Sequence, residues 1–436
     1  MAEQGTSRRK FLGGAAVAGV GLVGVGVAAG DGLRSAGDGA VETQQTSLST
    51  VASSGDQALS VVPFYGDRQA GITTPAQERL MFAALDVTTT DSGELQQMLR
   101  RWAAVAARLT AGQPVSRRSA EDDQPPIDTG EVMDLGPNSL TITIGFGSSL
   151  FDQRFGLADR MPAELLPFGT IPGEERMNPA ISDGDICIQA CADDPLVALH
   201  AVRNLIRAAR GSAVLKWSQL GFGQASTTGA GQRTPRNLMG FKDGTNNISA
   251  DDTAAQDEHV FVPRGSGSAA TSWMANGSYL VARKIRMEIE VWDAEPLDEQ
   301  ERVFARKKVS GAPLTGGGEF TPIDYDKTDA SGAPVIDVAA HVRLAAPEQN
   351  DGLRLLRRGY NYIDGQEQDT GKLAAGLFFI AFQRDPQTQF KVLQTKMGRS
   401  DLLGEYISTI GGGLWACPPG ISGPGDWYGE ALFDTA

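Results

Sequence analysis

Three imidazoles are open to metal or proton chemistry in this chain of 436 residues: His200, His259 and His341. They stand far apart, and neither HExxH nor CxxC occurs, so a compact zinc motif is absent. GxSxG is missing too, which argues against a serine hydrolase. A cofactor that needs one axial imidazole passes this filter, and haem is such a cofactor. CxxCH is also absent, so a haem here would be held without thioether bonds. His200 falls beside the apolar stripe of a helix and reads as a satisfied core histidine. His259, in Asp257-Glu258-His259, reads as solvated. His341 heads the run His341-Val342-Arg343-Leu344-Ala345-Ala346-Pro347 and suits either a structural or a ligating role.

Two segments add an acid and a cation. Gly240-Phe241-Lys242-Asp243-Gly244-Thr245-Asn246-Asn247 sets a carboxylate beside glycines, which lets backbone approach a flat ligand closely; an ordinary Asp-Gly turn is the other reading. An EF-hand is excluded there, because its sixth position is Ile248 rather than Gly and its twelfth is Ala254 rather than Glu. Leu355-Leu356-Arg357-Arg358-Gly359-Tyr360 carries adjacent arginines, which alone would read as surface residues.

Taken together, these segments resemble the dye-decolourising peroxidase family. Gly240-x-x-Asp243-Gly244 is similar to its GxxDG motif, His341-Val342-Arg343-Leu344-Ala345 to its proximal-histidine segment, and Leu356-Arg357-Arg358-Gly359-Tyr360 to its distal-arginine segment. Lesser matches include Pro63-Phe64-Tyr65-Gly66, Gln69-Ala70-Gly71-Ile72, Ile144-Gly145-Phe146-Gly147 and Gly311-Ala312-Pro313-Leu314. One departure is Arg68, where many exported relatives carry a histidine. The resemblance implies an α+β fold of two ferredoxin-like halves, antiparallel sheets with helices packed around them, and one haem b per chain bound in the second half. It implies that His341 ligates the iron on the proximal side, with Asp401 as the acceptor on its other nitrogen; a solvated helix N-cap is the competing reading of Asp401. Asp243 would take a proton from hydrogen peroxide and return it to the leaving hydroxyl. Arg357 would stabilise the charge that develops as the O–O bond breaks. Gly244, Thr245 and Asn246 would border the haem edge. Hydrogen peroxide and a dye-like or phenolic reductant are the implied substrates, and Trp415 and Tyr406 stand either as electron relays or as core aromatics. The alternatives are a deferrochelatase-type role, releasing iron from haem for uptake with a membrane partner, and a haem carrier without turnover. A homo-oligomer is left open.

The elements that must position these residues follow from periodicity. Met81–Val87 reads as a strand, and Asp91 caps a helix, with Glu94 three residues on as in a capping box. Leu95, Met98, Trp102, Val105 and Leu109 form its apolar face. Ser116 to Met133 reads as a loop. Leu140, Ile142 and Ile144 mark a half-buried strand, and Ile186–Ala190 another. Asp194 caps a helix with Pro195 at its first position and Leu196, Leu199, Val202, Leu205 and Ala209 as its stripe. Ala213–Gln219 closes the unit in ferredoxin-like order. A second set follows: strand Tyr279–Ile289, helix Asp298–Lys307, strand Leu377–Phe382, helices near Pro386–Thr395 and Asp401–Ile407, and strand Leu414–Cys417. The halves are expected at 61–230 and 231–436.

Ser7-Arg8-Arg9-Lys10-Phe11-Leu12 leads a Gly/Ala-rich apolar run, the layout of a twin-arginine export signal over residues 1–36. A permanent membrane anchor is the competing reading, but a span wants ~20 strongly apolar residues. Cleavage would follow Ala29 or fall nearer Ala36. The GxGxxG at Gly19–Gly24 follows no strand and carries no dinucleotide-binding signal. Residues 37–60 read as a disordered tether. The route carries folded cargo to an extracellular, cell-envelope or periplasmic site, and cytoplasmic insertion of a cofactor is a reason to use it. A net charge of −14 excludes nucleic acid as a partner. Removing the signal makes the remainder more acidic still, because Arg8, Arg9, Lys10 and Arg34 outnumber Glu3 and Asp31. Cys187 and Cys191 would lie ~13 Å apart on an extended strand, beyond the ~7 Å that a bridge allows. Nothing pairs Cys417 with either, so the fold is expected to stand without disulfides.

Overall fold

The computed structural model describes residues 60–118, 121–226, 229 and 233–434. The twin-arginine segment and the tether up to residue 59 lie outside them.

The first set of elements is β1 (Arg79–Val87), α1 (Ser92–Thr110), β2 (Thr141–Gly147), β3 (Ile186–Ala192), α2 (Pro195–Ala208) and β4 (Ala213–Gln224). The second is β5 (Ser278–Met287), α3 (Leu297–Phe304), α4 (His341–Ala345), β6 (Leu356–Arg357), β7 (Tyr360–Gln366), β8 (Leu373–Gln383), α5 (Phe390–Ser400) and β9 (Ile407–Cys417). All the strands pair antiparallel in the order β5-β9-β2-β3-β1-β4-β7-β8-β6, and β5 also pairs with β8. That last pairing closes the sheet into a barrel. β6 continues β7 in one register, with Leu356 opposite Phe382 and Tyr360 opposite Phe378.

The closure corrects the expectation of separate sheets. β2 pairs with β9 and β4 with β7, so each set lends its edge strands to the other. Edge pairing between distant segments leaves no periodic trace in sequence. It does remove exposed strand edges, which would otherwise invite association.

Strand alternation then separates the barrel interior from the layers packed outside it. Phe82, Trp217, Tyr360, Phe378 and Trp415 fill the barrel interior. Outward residues of β1, β2 and β3 pack under α1 and α2, where Leu95, Met98, Trp102, Val105 and Leu109 are all buried. β2 is buried on both faces rather than one. Its polar positions find partners inside: Thr143 donates to Ala70 O at 2.8 Å, and Thr141 Oγ1 accepts from Gln77 at 3.1 Å.

Asp91 caps α1 by accepting from the Glu94 N–H at 2.9 Å, but Glu94 accepts from the Thr89 hydroxyl at 2.6 Å, so the capping box is half made. Asp194 and Pro195 open α2 as expected. Val202, Leu205 and Ala209 of the expected stripe are buried, but the buried face also takes Val197, Ala198 and Ala201, while Leu196 is exposed. Consecutive apolar residues at 196 and 197 fit either phase of a 100° period. Of the two helices expected near 386–395 and 401–407, the first forms as α5 over Phe390–Ser400, and only a single tight turn at Leu402–Glu405 stands in place of the second. β7 was not legible, because Ile363–Gln366 is exposed and polar enough to hide the strand. The three cysteines are buried and free, in line with a fold that needs no disulfide.

Gly398 brings α5 against the loop at Pro172, between β2 and β3. A Cβ there would meet Pro172 O at 1.8 Å. Gly398→Ala should therefore lower stability by ~1–3 kcal/mol or more, read as a fall in melting temperature; an unchanged melting temperature would show that the backbone yields freely.

Candidate active site

Outward side chains of β5 and β8 meet α3, α4 and α5 around a cavity of about 980 Å³. That lies at the upper end of the ~300–1,000 Å³ usual for ligand sites. Ile285, Met287, Leu377 and Phe379 give it an apolar wall from the sheet, and Leu393 and Met397 one from α5. All seven residues singled out from the sequence line it: Asp243, Gly244, Thr245, Asn246, His341, Arg357 and Asp401.

His341 is the first residue of α4. Its Nδ1 lies 2.6 Å from Asp401 Oδ2. The other Asp401 oxygen accepts from the Leu403 N–H at 2.9 Å. The two readings of Asp401 divide between its oxygens: one bonds an imidazole and the other caps a turn, but the side chain is 5% exposed and not the solvated cap expected. Burial disfavours the charged imidazole, but the adjacent Asp401 carboxylate outweighs it and raises the pKa of His341. With Nδ1 engaged, Nε2 is the ring nitrogen left for a ligand, since no residue among those described bonds it.

Arg357 lies on β6, and its guanidinium meets Asp243 Oδ1 at 2.5 Å. The strand's period of two explains the arginine pair. Arg357 faces the cavity, whereas Arg358 points into the barrel, wholly buried, and donates to Thr74 O and Gln77 Oε1. The surface reading of adjacent arginines is thus overturned for Arg358. Gly240 and Gly244 flank Asp243 with φ of 84° and 101°, a region costly for other residues. Lys242 pairs with Glu319, to which Thr245 Oγ1 donates at 3.3 Å, fixing the segment from its far side.

Sequence reasoning missed three contributors. Asn247 brackets the backbone of Arg357, accepting its N–H at 2.9 Å and donating to its carbonyl at 2.7 Å. The signal was only its place at the end of the Asp243 segment. Arg306 lines the cavity with no carboxylate partner among the described residues; it donates to Gly311 O at 2.7 Å and Glu319 O at 2.9 Å, and burial lowers its pKa. Arg283 in the wall is held by Glu174, through bonds of 2.7 and 3.0 Å, with both side chains buried. This pair tethers the Gly173–Arg176 loop to the cavity. Removing one partner of a buried pair costs about 3–5 kcal/mol, so Glu174→Ala should melt well below wild type; equal melting curves would show the pair to be dispensable.

Other candidates fall away from the cavity. His200 is a core histidine, 2.8 Å from Glu131. His259 is not solvated: its side chain is 16% exposed, and burial lowers its pKa. Trp415 and Tyr406 are buried core aromatics, Tyr406 packed edge-on against Trp292 at 5.0 Å. Arg68 pairs with Asp257 and lies over Phe261.

Comparison with known proteins shows the family of the chain. Residues 69–223 match the family described as Dyp-type peroxidase, N-terminal, and residues 234–422 match Dyp-type peroxidase, C-terminal. The chain is 36% identical over 374 residues to the deferrochelatase of Escherichia coli (strain K12), covering 85% of this chain and 86% of that protein. Among solved structures, an oxyferrous/water mixed complex of DtpA from Streptomyces lividans matches with a TM-score of 0.79 and 39% identity, over 87% of this chain and 99% of that one. A DyP-type peroxidase from Cellulomonas bogoriensis matches with a TM-score of 0.76 and 34% identity, over the same shares. The chain belongs to the Dyp-type peroxidase family and is a haem-dependent oxidoreductase.

Proposed function

We propose that the two sets of strands are ferredoxin-like halves, that the second carries one haem b in this cavity, and that the protein works as a hydrogen-peroxide oxidoreductase on phenolic or dye-like donors. One observation carries the reading: an imidazole oriented by a carboxylate and an Asp–Arg pair line the same apolar cavity. The residues fit haem. The Nε2 of His341 suits iron, the apolar walls suit a porphyrin, and Arg306, which forms no ion pair among the described residues, offers a cation to an anionic side group. Bound there, haem supplies the redox-active iron that takes oxidising equivalents from peroxide and passes them to a donor.

The chain's own residues supply the rest. Asp243 takes a proton from the incoming peroxide and returns it to the departing hydroxyl. Arg357 places its charge where negative charge develops, and Asn247 holds the Arg357 backbone so that the guanidinium need not search for its position. Asp401 keeps the Nδ1 proton of His341 on the side away from the ligand. Haemin titrated into the apo-protein should saturate at one per chain with a Soret band; no Soret band would end the reading.

A second reading rests on the 36% identity to a deferrochelatase. Iron leaving an intact protoporphyrin would support it. We further propose twin-arginine export as a folded, haem-loaded protein. Among the described residues no helix is long and apolar enough to cross a membrane.

A further inference from the structure

β6 is only two residues long, and among the described residues β8 is the one strand it pairs with. So short an edge strand does little by itself to fix where Arg357 enters the cavity. Asn247 holds the Arg357 backbone from outside. Its neighbour Arg358 is placed to hold it from within the barrel.

Arg358 shares a strand face with Leu356 and Tyr360, and all three are wholly buried. Leu356 and Tyr360 belong to the apolar core of the barrel, where another apolar side chain would be the ordinary choice. A guanidinium at that place gives up its water, and no carboxylate pairs with it among the described residues. What it gains is a fork: one terminal nitrogen donates to Thr74 O and the other to Gln77 Oε1. Both acceptors lie in the segment ahead of β1, whose Ile72 sits in the same core.

That segment is itself tied to the first set of strands. Thr143 on β2 donates to Ala70 O at 2.8 Å, and Gln189 on β3 donates to Gly71 O at 3.0 Å. The Gly71 N–H donates to Thr74 Oγ1 at 3.0 Å. Gln77 Nε2 reaches Ser139 O at 2.7 Å and Thr141 Oγ1 at 3.1 Å. Through Arg358, the strand that carries Arg357 is therefore moored to β2 and β3.

We propose that Arg358 is a positioning residue for the reaction with peroxide: its buried fork fixes β6, and so the point from which Arg357 reaches Asp243. The inference rests on the peroxidase reading above. It gives a reason for an unpaired charge in the barrel core, and it makes the first set of strands a support for chemistry done in the second.

The test uses haem-loaded protein. Arg358→Met keeps a long side chain and removes the fork. Its stopped-flow rate with peroxide should fall roughly tenfold to a hundredfold, the loss that a small misplacement can bring, with haem stoichiometry unchanged. Melting temperature should stay near wild type, because relief of the buried charge offsets the two acceptors left free. An arginine that served stability alone would show the opposite pattern. Since Arg358 acts through Arg357, the Arg357→Ala and Arg357→Ala/Arg358→Met proteins should react at one rate. Azide, an anion, should bind the ferric protein more weakly in Arg358→Met and Arg357→Ala alike, read in the Soret band without peroxide. Arg358→Lys keeps the charge and one donor arm, and should react more slowly than wild type even if the Met variant fails to fold. A wild-type rate in either single variant of Arg358 overturns the proposal. So does a double variant slower than Arg357→Ala by the full Arg358→Met factor. Azide binding that weakens in Arg358→Met, in a wild type unreactive toward peroxide, upholds the positioning role and sinks the peroxidase reading instead.

Discussion

His341→Ala is expected to cost the protein its stable haem. His341 is the one imidazole that lines the cavity, and its orientation is fixed from behind by a 2.6 Å bond to Asp401. Among the described residues no group of three or more His, Cys, Asp and Glu side chains is placed to hold a metal ion. The variant should fold, because the ring lies at a cavity wall and is 28% exposed rather than packed in the barrel. Leaving Asp401 with one bonded oxygen costs about 1–3 kcal/mol, which a domain of this size tolerates. Haemin titration should then give weak, non-stoichiometric binding and a displaced Soret band, and added imidazole should restore the wild-type spectrum in His341→Gly. A wild-type spectrum in the alanine variant would remove His341 from the iron.

Arg357→Ala should keep its haem and lose its reaction with peroxide. Deleting a positioned cation or donor from a charge-stabilising site typically costs ~10²–10³ in rate. The same substitution leaves Asp243 without its 2.5 Å partner, so two functions fail together. Asp243→Asn isolates the proton-transfer part, for which ~10²–10⁴ is the usual range. In stopped flow the second-order rate with peroxide should drop in both variants, while haem stoichiometry and melting temperature stay near wild type. The two losses should fall short of additive, because the residues act as a bonded pair. An Arg357→Ala enzyme as fast as wild type would place the chemistry elsewhere.

Much of the site was legible because its residues sit in short segments with distinctive spacing. Asp243 stands between two glycines whose positive φ few other residues adopt, and His341 heads its own helix. Asp401 was read two ways, and the structure keeps the imidazole contact and the cap but buries the side chain that the second reading left solvated. What sequence concealed is long-range. Asn247 matters only because β6 passes beside it, 110 residues later. Glu174 and Arg283 are 109 residues apart and meet only once the barrel closes. Arg358 looked like surface because adjacent arginines usually are, yet strand alternation turns it into the barrel.

The fold divides the same way. Helices with strong caps and stripes, α1 and α2, were placed closely, whereas β7 was lost behind polar residues. The joining of the two sets through β2–β9 and β4–β7 depends on edges that no periodicity marks. That joining brings the Gly173–Arg176 loop of the first set to a cavity built from the second.

The most direct test follows the fate of haem iron in one reaction. Haem-loaded wild-type protein is given hydrogen peroxide and a phenolic donor, and oxidised donor, free iron and iron-free protoporphyrin are measured together. Many molecules of oxidised donor per haem, with iron and porphyrin still joined at the end, are the expected result. Protoporphyrin and free iron released in step, with no catalytic oxidation of the donor, would contradict the account.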